Sequence, residues 1–424
     1  MSAMREGRRR FLRGAAGTLL ASPWIARAAA TPGPADDFDA LWRAIDEGYA
    51  FLDRPADWRD ARARWRPKAV AARDRASLLS ALEGALAELQ DDSIVLAAHN
   101  PGSPRPVPFA SDVWAEWIAA RAIITAVRAG SVADSVGLHP GMEVATIGGV
   151  PVGDAVARML RRSRQADPRA RDWALRRLLA GPWSGTLSVG IRAGAAVRAF
   201  DLVRNDEPPA STPPLIARRI GESRDLGYLR LKNNLSDPGL VFHFDAALLH
   251  LKDTKGLLLD LRETGSGGAP AVAEAIAARF VAAETPWLVR SPARTKGAVP
   301  AAPVRIAPRG NFAYGGPVAV LVDRWTAGEG ESLAIGLEAA VRATLIGTPM
   351  AGLRGDPREV KLPASGIALR FPAARVFHLN GTPREAVRPA LPVDLAAPSG
   401  GPGDPILYQG LKFLESRAGT APRS

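Results

Sequence analysis

The stretch PVAVLVDRWTAGEGESLAIGLEAAVRATLIG, residues 317–347, decides the fold of this chain. It begins with an apolar run, turns sharply at 323–328, continues with helical periodicity over 330–341 and ends in a strand-like segment. A strand, a helix and a second strand in this order predict a βαβ unit in a covered, largely parallel sheet. A strand-to-helix turn is also a common position for a nucleophile, because the first helical N–H groups point at whatever lies there.

The same alternation extends to both sides of this unit. Strand-like runs lie at 225–231, 255–261, 317–323, 342–347 and 367–371, and helical runs at 238–251, 269–283 and 330–341. Strands separated by segments of helix length favour an α/β core. The sequence therefore predicts this core over residues 211–400, followed by a C-terminal tail over 401–424.

Two further regions precede the core. Residues 31–105 carry apolar residues at three- and four-residue spacing and predict a small helical domain. Residues 106–210 contain AIITAVRAGSVADSVGLHPGMEVATIGGVPV (122–152), whose order of strand, turn, short helix and hairpin resembles a PDZ domain, in which a peptide adds a strand beside a helix. Domain packing without peptide capture is the alternative, because the sequence has no clear Gly-apolar-Gly-apolar loop to receive a carboxylate.

Residues 1–30 have the pattern of an export signal. Arg8 and Arg9 are followed by Phe11, a weakly apolar stretch and three alanines, which is typical of a twin-arginine signal peptide cut after Ala30. A retained basic amphipathic helix is the alternative. No later run reaches the roughly 18 apolar residues needed to span a bilayer. We therefore expect a soluble, exported protein, periplasmic or extracellular.

Composition excludes several kinds of site and partner. The 424 residues include no cysteine, which excludes disulfides, thiolate metal sites and a cysteine nucleophile. The five histidines form no His-x-x-x-His pair, so no metal or other cofactor is predicted. Residues 1–30 hold six arginines and one glutamate, so residues 31–424 carry +7 of the net +12. These charges are dispersed among acids, which argues against a nucleic-acid partner.

Four segments together resemble one protein family. In chain order they are LGYLRL, GLLLDLRETGSGG, the stretch from Pro317 to Gly352, and IALRFPAARVFHLNGTPRE. Their joint order resembles the tail-specific, or C-terminal processing, serine peptidases, particularly the branch related to the tricorn protease core. The resemblance implies a crotonase-like α/β peptidase core with an N-terminal helical domain and a PDZ-like β-rich domain. It also implies extended peptides or protein C-termini as partners.

The resemblance places the catalytic serine of the family at Gly328. Glycine has no side chain that a neighbouring base could activate. One branch of the family has a lysine base twenty-five residues after the serine, where this chain has Leu353. The neighbouring Arg354 does not replace it, because a guanidinium stays protonated at physiological pH.

The tricorn-like branch instead has a histidine after a serine near the end of the helical front. Ser93 matches that serine, but Ile94 stands at the histidine position and can neither accept nor donate a proton. His99 is a weak substitute, and we expect it to contact solvent or backbone. The last member of the set, a glutamate, matches Glu385; the structural alternative is a carboxylate bonded to backbone or to an arginine such as Arg388.

The oxyanion hole of the family comes from backbone N–H groups of a Gly-rich loop and of the residue after the nucleophile. This chain retains Gly265, Gly267 and Gly268, with Thr264 where asparagine is usual. Together with the N–H of Glu329 at the helix start, they predict a concave site with two or three convergent donors. Such a site can hold a carbonyl or carboxylate without cleaving anything.

Three functions follow as hypotheses. The preferred one is a catalytically degenerate peptidase that binds peptides or protein tails. The second is an active serine peptidase with a rearranged site around Ser332 and Glu385, although Ser332 lies roughly 6 Å along the helix from position 328 and burial is its alternative role. The third is a scaffold that binds no peptide. The sequence does not determine the oligomeric state.

Overall fold

The computed structural model describes residues 31–204, 213–232, 235–265, 267–292, 301–397 and 403–418. The predicted signal peptide lies outside these residues. Over the described ranges, no helix has the length and apolar character needed to cross a membrane.

The helices and strands fall into three regions along the chain. The first region contains α1 Pro34–Gly48, α2 Pro55–Val70, α3 Arg75–Ala87 and β1 Val95–Leu96. The second contains β2 Val113–Ile118, β3 Arg121–Val127, α4 Val132–Ser135, β4 Glu143–Ile147, β5 Val150–Pro151, α5 Val152–Met159, α6 Pro168–Ala180, β6 Gly185–Ala193 and β7 Ala196–Arg204. The third contains β8 Leu215–Ile220, β9 Leu226–Leu231, α7 Gly239–Leu251, β10 Gly256–Asp260, α8 Pro270–Ala277, β11 Thr285–Pro292, β12 Pro303–Ile306, β13 Val318–Val322, α9 Glu329–Val341, β14 Thr344–Gly347, β15 Asp356–Lys361, β16 Ala368–Phe377, β17 Leu391–Pro392 and α10 Pro405–Ala418.

The central sheet has the strand order β17-β14-β13-β10-β9-β8 and is parallel except for the pairing of β8 with β9. Both faces are covered, which is why its strands are continuous apolar runs. Along β13, Val318, Val320 and Val322 face the cluster that includes α8 and α9, while Ala319 and Leu321 face the cluster that includes α10. The last helix, in the predicted tail, therefore completes the core.

A second sheet has the order β1-β16-β11-β12, with β15 also paired to β16. The front helices pack on it, so that Phe38 and Leu41 of α1 share one hydrophobic cluster with Leu369 and Phe371 of β16. The front helices and the core sheet thus stabilise each other by burying the same apolar surface.

The middle sheet, defined here as β2-β3-β4-β6-β7 with β5 on β4, is antiparallel. Its cluster includes residues of α5 and α6. Two residues of the turn after β13 contact this region. Arg324 pairs with Glu116 of β2 at 2.6 Å, and the Trp325 indole donates to the carbonyl oxygen of Ser111, just before β2, at 2.9 Å. The middle sheet is therefore anchored directly to the candidate site.

The predicted α/β core is confirmed. Its predicted strands and helices match β9, β10, β13, β14, α7 and α9 to within about two residues, while α8 ends at Ala277 rather than at 283. The segment 367–371 is a strand, but it belongs to β16 of the antiparallel second sheet rather than to a βαβ unit. The cause is its pairing with β11 and β15, which local periodicity does not specify.

Candidate functional site

The turn after β13 has the backbone of a sharp strand-to-helix elbow. Gly328 has φ of 57° and ψ of −118° and is the N-cap residue of α9. A residue with a side chain is strained at this positive φ, and such strain concentrates at functional turns. The carboxylate of Asp323 accepts from the N–H of Trp325 at 2.8 Å, and the N–H of Asp323 donates to the Thr326 hydroxyl at 3.0 Å. These bonds fix the turn at the end of the strand.

Backbone atoms fill the space next to Gly328. A Cβ at this position would lie 2.6 Å from the carbonyl oxygen of Gly267 and 3.0 Å from its nitrogen. A parallel bridge between Gly265 and Thr326 holds the two segments together. A side chain at 328 therefore requires the loop around Gly267 to move.

The predicted oxyanion site is closed at one of its donors. The N–H of Glu329 donates to the carbonyl oxygen of Gly267 at 3.1 Å, so this donor is bonded within the chain. Gly265, Gly267 and Gly268 all have positive φ, which allows the loop to approach the turn this closely. The sequence identifies glycines that can present N–H groups. It does not specify which way each peptide plane faces, and here a carbonyl oxygen meets the helix start.

Glu331 organises the turn from inside the protein. Its buried carboxylate accepts hydrogen bonds from the N–H groups of Gly328 at 3.0 Å, Gly352 at 2.9 Å and Leu353 at 3.1 Å. Burial raises the pKa of Glu331 to about 7, while Arg384 and the three N–H groups favour the charged form. Glu331 therefore ties the turn to the 350–354 loop.

Ser332, the alternative nucleophile, is fully buried and held by a cation. Nη1 of Arg384 donates to the Ser332 Oγ at 2.7 Å, and this Oγ lies 3.5 Å from Gly328 O. The same guanidinium donates to Leu353 O at 3.1 Å and to Gly355 O at 2.7 Å. A guanidinium cannot take a proton from the hydroxyl, so this contact does not activate Ser332. The geometry instead supports the structural role of Ser332.

The segment after α3 places Ser93 and Ile94 in different surroundings. Ser93 Oγ accepts from the N–H of Arg354 at 2.7 Å. Ile94 packs against the front cluster and lines a separate cavity of about 80 Å³. His99 lines the same cavity, with its ring stacked 3.8 Å from that of Trp183. His99 is also exposed, which agrees with the expected solvent contact, and the cavity that it lines does not include Gly328.

Glu385 lines a cleft of about 410 Å³ between the middle sheet and the core. Its half-buried carboxylate interacts electrostatically with Arg354 across the cleft wall. The arginine that interacts with this carboxylate is therefore Arg354 rather than Arg388. Nη1 of Arg388 donates instead to the backbone carbonyls of Glu385 at 3.4 Å and Val387 at 3.1 Å.

A smaller cavity of about 100 Å³ reaches the turn itself, with Gly267 and Gly328 in its wall. It shares Ser93, Leu353 and Arg354 with the large cleft, so the two spaces are neighbours. A peptide in the cleft would therefore pass close to the turn. Among the described residues, no group of three His, Asp or Glu side chains is placed to hold a metal ion.

A buried charge cluster behind the turn was not predicted from the sequence. Glu329 is 1% exposed, and neither of its carboxylate oxygens has a hydrogen-bond partner in the described structure. Nη2 of Arg290 lies 3.8 Å away, and Arg290 also pairs with Asp356 at 2.6 Å. Burial, together with the charge of Asp356, raises the pKa of Glu329 to about 7. Arg384 was missed as well, although it stands next to the Glu385 that the family motif identified.

Comparisons with known proteins agree with this arrangement. The family model for peptidase family S41 matches residues 225–393. The photosystem II D1 C-terminal processing protease is 19% identical, with 91% of this chain and 98% of that chain covered and a TM-score of 0.55. Mature CPAF complexed with lactacystin is 14% identical, with 91% and 97% covered and a TM-score of 0.58. No curated protein matches the chain.

The two structural likenesses show a shared fold, while the family match covers the segment that carries the turn, Glu331, Arg384 and Glu385. The observed order of the front helices, the middle sheet and the parallel core is consistent with both findings. The stretch 225–393 therefore carries the similarity to peptidase family S41, and the chain as a whole shares the fold of the two solved proteases.

Proposed function

We propose that this protein binds extended peptides or protein tails and does not hydrolyse them. The observation that carries the proposal is the occupied space at Gly328, where the family's nucleophile is expected and a carbonyl oxygen leaves no room for a side chain. Ile94 leaves the expected base position empty as well. A serine-peptidase site without its nucleophile and base retains only roughly 10³- to 10⁴-fold acceleration over water.

The binding half of the proposal is supported by the cleft beside the turn. Its volume of about 410 Å³ falls in the range of ligand sites, roughly 300 to 1,000 Å³. Trp114 and Trp173 contribute aromatic surface to its wall, and charged side chains contribute polar groups. An extended peptide segment needs this combination of apolar contact and hydrogen-bonding groups.

The experiment uses the purified protein that begins at Thr31, without the predicted signal peptide. Its hydrolysis of unstructured peptides is assayed, and its labelling by a serine-reactive phosphonate is measured in parallel. We expect neither turnover nor labelling, and we expect measurable peptide binding by fluorescence anisotropy. Turnover that is abolished by Ser332→Ala would support the rearranged peptidase instead. Absence of binding to every peptide would leave the scaffold hypothesis.

Export through the twin-arginine signal belongs to the same proposal. It predicts that the protein recovered from the periplasm or medium begins at Thr31. N-terminal sequencing checks this, with an Arg8→Lys/Arg9→Lys variant as the control that should remain uncleaved.

A further inference from the structure

One face of α6 forms a wall of the cleft. Arg169, Asp172, Trp173 and Arg176 all line the cleft, and their spacing of three, four and seven residues places them on one side of the helix. Other parts of the lining come from the 350–354 loop and from Pro383, Glu385, Ala386 and Arg388. Helix α6 thus presents a continuous polar and aromatic stripe to any occupant.

The same helix covers one edge of β2, the outer strand of the middle sheet, on the side that pairs with no other described strand. The backbone N–H of Trp117 donates to the Asp172 carboxylate at 3.0 Å, and the Trp117 indole N–H donates to Arg171 O at 3.4 Å. The Arg171 guanidinium lies 4.2 Å from the Trp117 ring centroid. A peptide cannot add as a strand where an edge N–H is already bonded to a helix. Peptide binding therefore points to the cleft rather than to this edge.

Three guanidinium groups converge at one end of the cleft. Those of Arg176 and Arg324 lie 4.8 Å and 5.0 Å from the ring centroid of Trp114, and Arg388 lines the cleft beside them. Burial and the charges of Arg176 and Arg388 lower the pKa of Arg324 to about 10, although Glu116 opposes this effect. Crowded cations of this kind are stabilised by an added anion.

The carboxylates that line the cleft already have partners, most of them arginines of the same cleft. Their partners are Arg324 for Glu116, Arg176 for Asp92, Arg354 for Asp91 and Glu385, and the Trp117 N–H for Asp172. Arg388 is exposed, and its guanidinium donates to two backbone carbonyls but forms no ion pair with a carboxylate among the described residues. A guanidinium in this state can still form a paired, charge-assisted hydrogen bond with a ligand carboxylate.

We infer that the cleft recognises a carboxylate group of an extended peptide, held by Arg388 next to Trp114 and the Arg324–Glu116 pair. The inference rests on the proposed peptide binding and names the chemistry that this binding selects. A side-chain carboxylate and a free C-terminus present the same group, so the test separates these two sources.

The test uses three fluorescein-labelled peptides of equal length and otherwise identical Gly/Ala sequence. The first has a central Glu and an amidated C-terminus, the second has Gln and an amidated C-terminus, and the third has Gln and a free C-terminus. We expect a peptide with the recognised carboxylate to bind about tenfold more tightly than the amidated Gln peptide, with an advantage that shrinks at high salt.

Arg388→Glu should abolish this advantage, whereas Arg73→Glu, an equal charge change at an exposed residue between α2 and α3, should preserve it. Tighter binding of the Glu peptide assigns the carboxylate to a side chain, and tighter binding of the third peptide assigns it to a C-terminus. Equal affinity of all three peptides, or equal effects of the two variants, overturns the inference but leaves peptide binding intact. Failure of all three to bind removes both the inference and the proposed function.

Discussion

The turn at 326–331 and the cleft beside it share the 350–354 loop, but they are built in opposite ways. In the turn, the groups expected to meet a substrate are bonded within the chain, as Glu329 N–H is to Gly267 O. In the cleft, about 410 Å³ is open and the Arg388 guanidinium has no carboxylate partner among the described residues. Attack on a carbonyl needs one atom at one point, whereas recognition needs a lined volume. The two requirements can therefore be met or lost separately.

The largest effect that would test the closed turn comes from Glu331→Ala. Three N–H groups lose their acceptor, two of them buried and that of Gly352 partly buried. Unsatisfied buried donors cost about 1–3 kcal/mol each, and release of a buried carboxylate offsets part of this, so we expect a loss of about 4 kcal/mol in unfolding free energy. Urea denaturation measures it.

The control for this variant is Glu359→Ala, which removes an exposed glutamate paired with Arg370. An exposed pair contributes at most about 1 kcal/mol. Similar losses for the two variants would mean that Glu331 does not hold the turn, and the contrast between a rigid turn and an open cleft would fail.

Gly328→Ser gives the next largest effect and tests whether restoring the residue restores the chemistry. We expect no hydrolysis and a stability loss of about 3 kcal/mol, because the new Cβ is strained at positive φ and meets Gly267 O at 2.6 Å. Gly366→Ser is a matched control, since Gly366 has φ of 69° and no atom within 4 Å of its Cβ position.

We expect Gly366→Ser to cost about 1 kcal/mol, the part due to φ alone. The difference between the two serine variants then measures the contact with the 265–268 loop. Phosphonate labelling of the Gly328→Ser variant would show instead that the turn opens readily, and the comparison between turn and cleft would be wrong.

The fold was largely predictable because its signals are local. The strand β13 and the helix α9 have apolar patterns that fix their ends to within one residue of those expected, since the strand is buried on both faces. The sheet that β16 joins was not predictable, because its partners β11 and β15 are separate segments whose pairing depends on tertiary packing.

The proposed absence of a nucleophile and a base was predictable from the residue types alone, glycine at 328 and isoleucine at 94. The closure by Gly267 O was not, because a glycine's peptide plane can face either way. The contact between Arg384 and Ser332 joins residues 52 positions apart, and no short sequence pattern reports such a pairing.

The Glu329→Gln variant tests the buried charge behind the turn through the pH dependence of folding stability. Burial raises the pKa of Glu329 from 4.5 in the unfolded chain to about 7, so the folded state favours the protonated form. The contribution of Glu329 to folding stability is therefore greatest at low pH, and it is lost as the pH rises from 4.5 through about 7. The glutamine variant lacks this loss.

We therefore expect the stability of Glu329→Gln relative to the unsubstituted protein to increase by about 2 kcal/mol between pH 5 and pH 8. Urea denaturation at both pH values measures the change, and Glu359→Gln at an exposed position should show almost none. A pH-independent difference would mean that Arg290 keeps Glu329 fully charged in the folded protein.

Ser332→Ala gives the smallest expected effect and separates a structural hydroxyl from a reactive one. The variant removes one hydrogen bond from Arg384, which keeps Leu353 O and Gly355 O as acceptors. One lost hydrogen bond of this kind costs about 1 kcal/mol, while Ser80→Ala on the exposed face of α3 should cost less. Peptide affinity in the cleft should be unchanged, because Ser332 is buried behind the turn. If the unsubstituted protein hydrolysed peptides and Ser332→Ala abolished this activity, the Ser332 hydroxyl would have to leave Arg384 and reach the cleft. The turn would then be a catalytic site rather than a closed structural element.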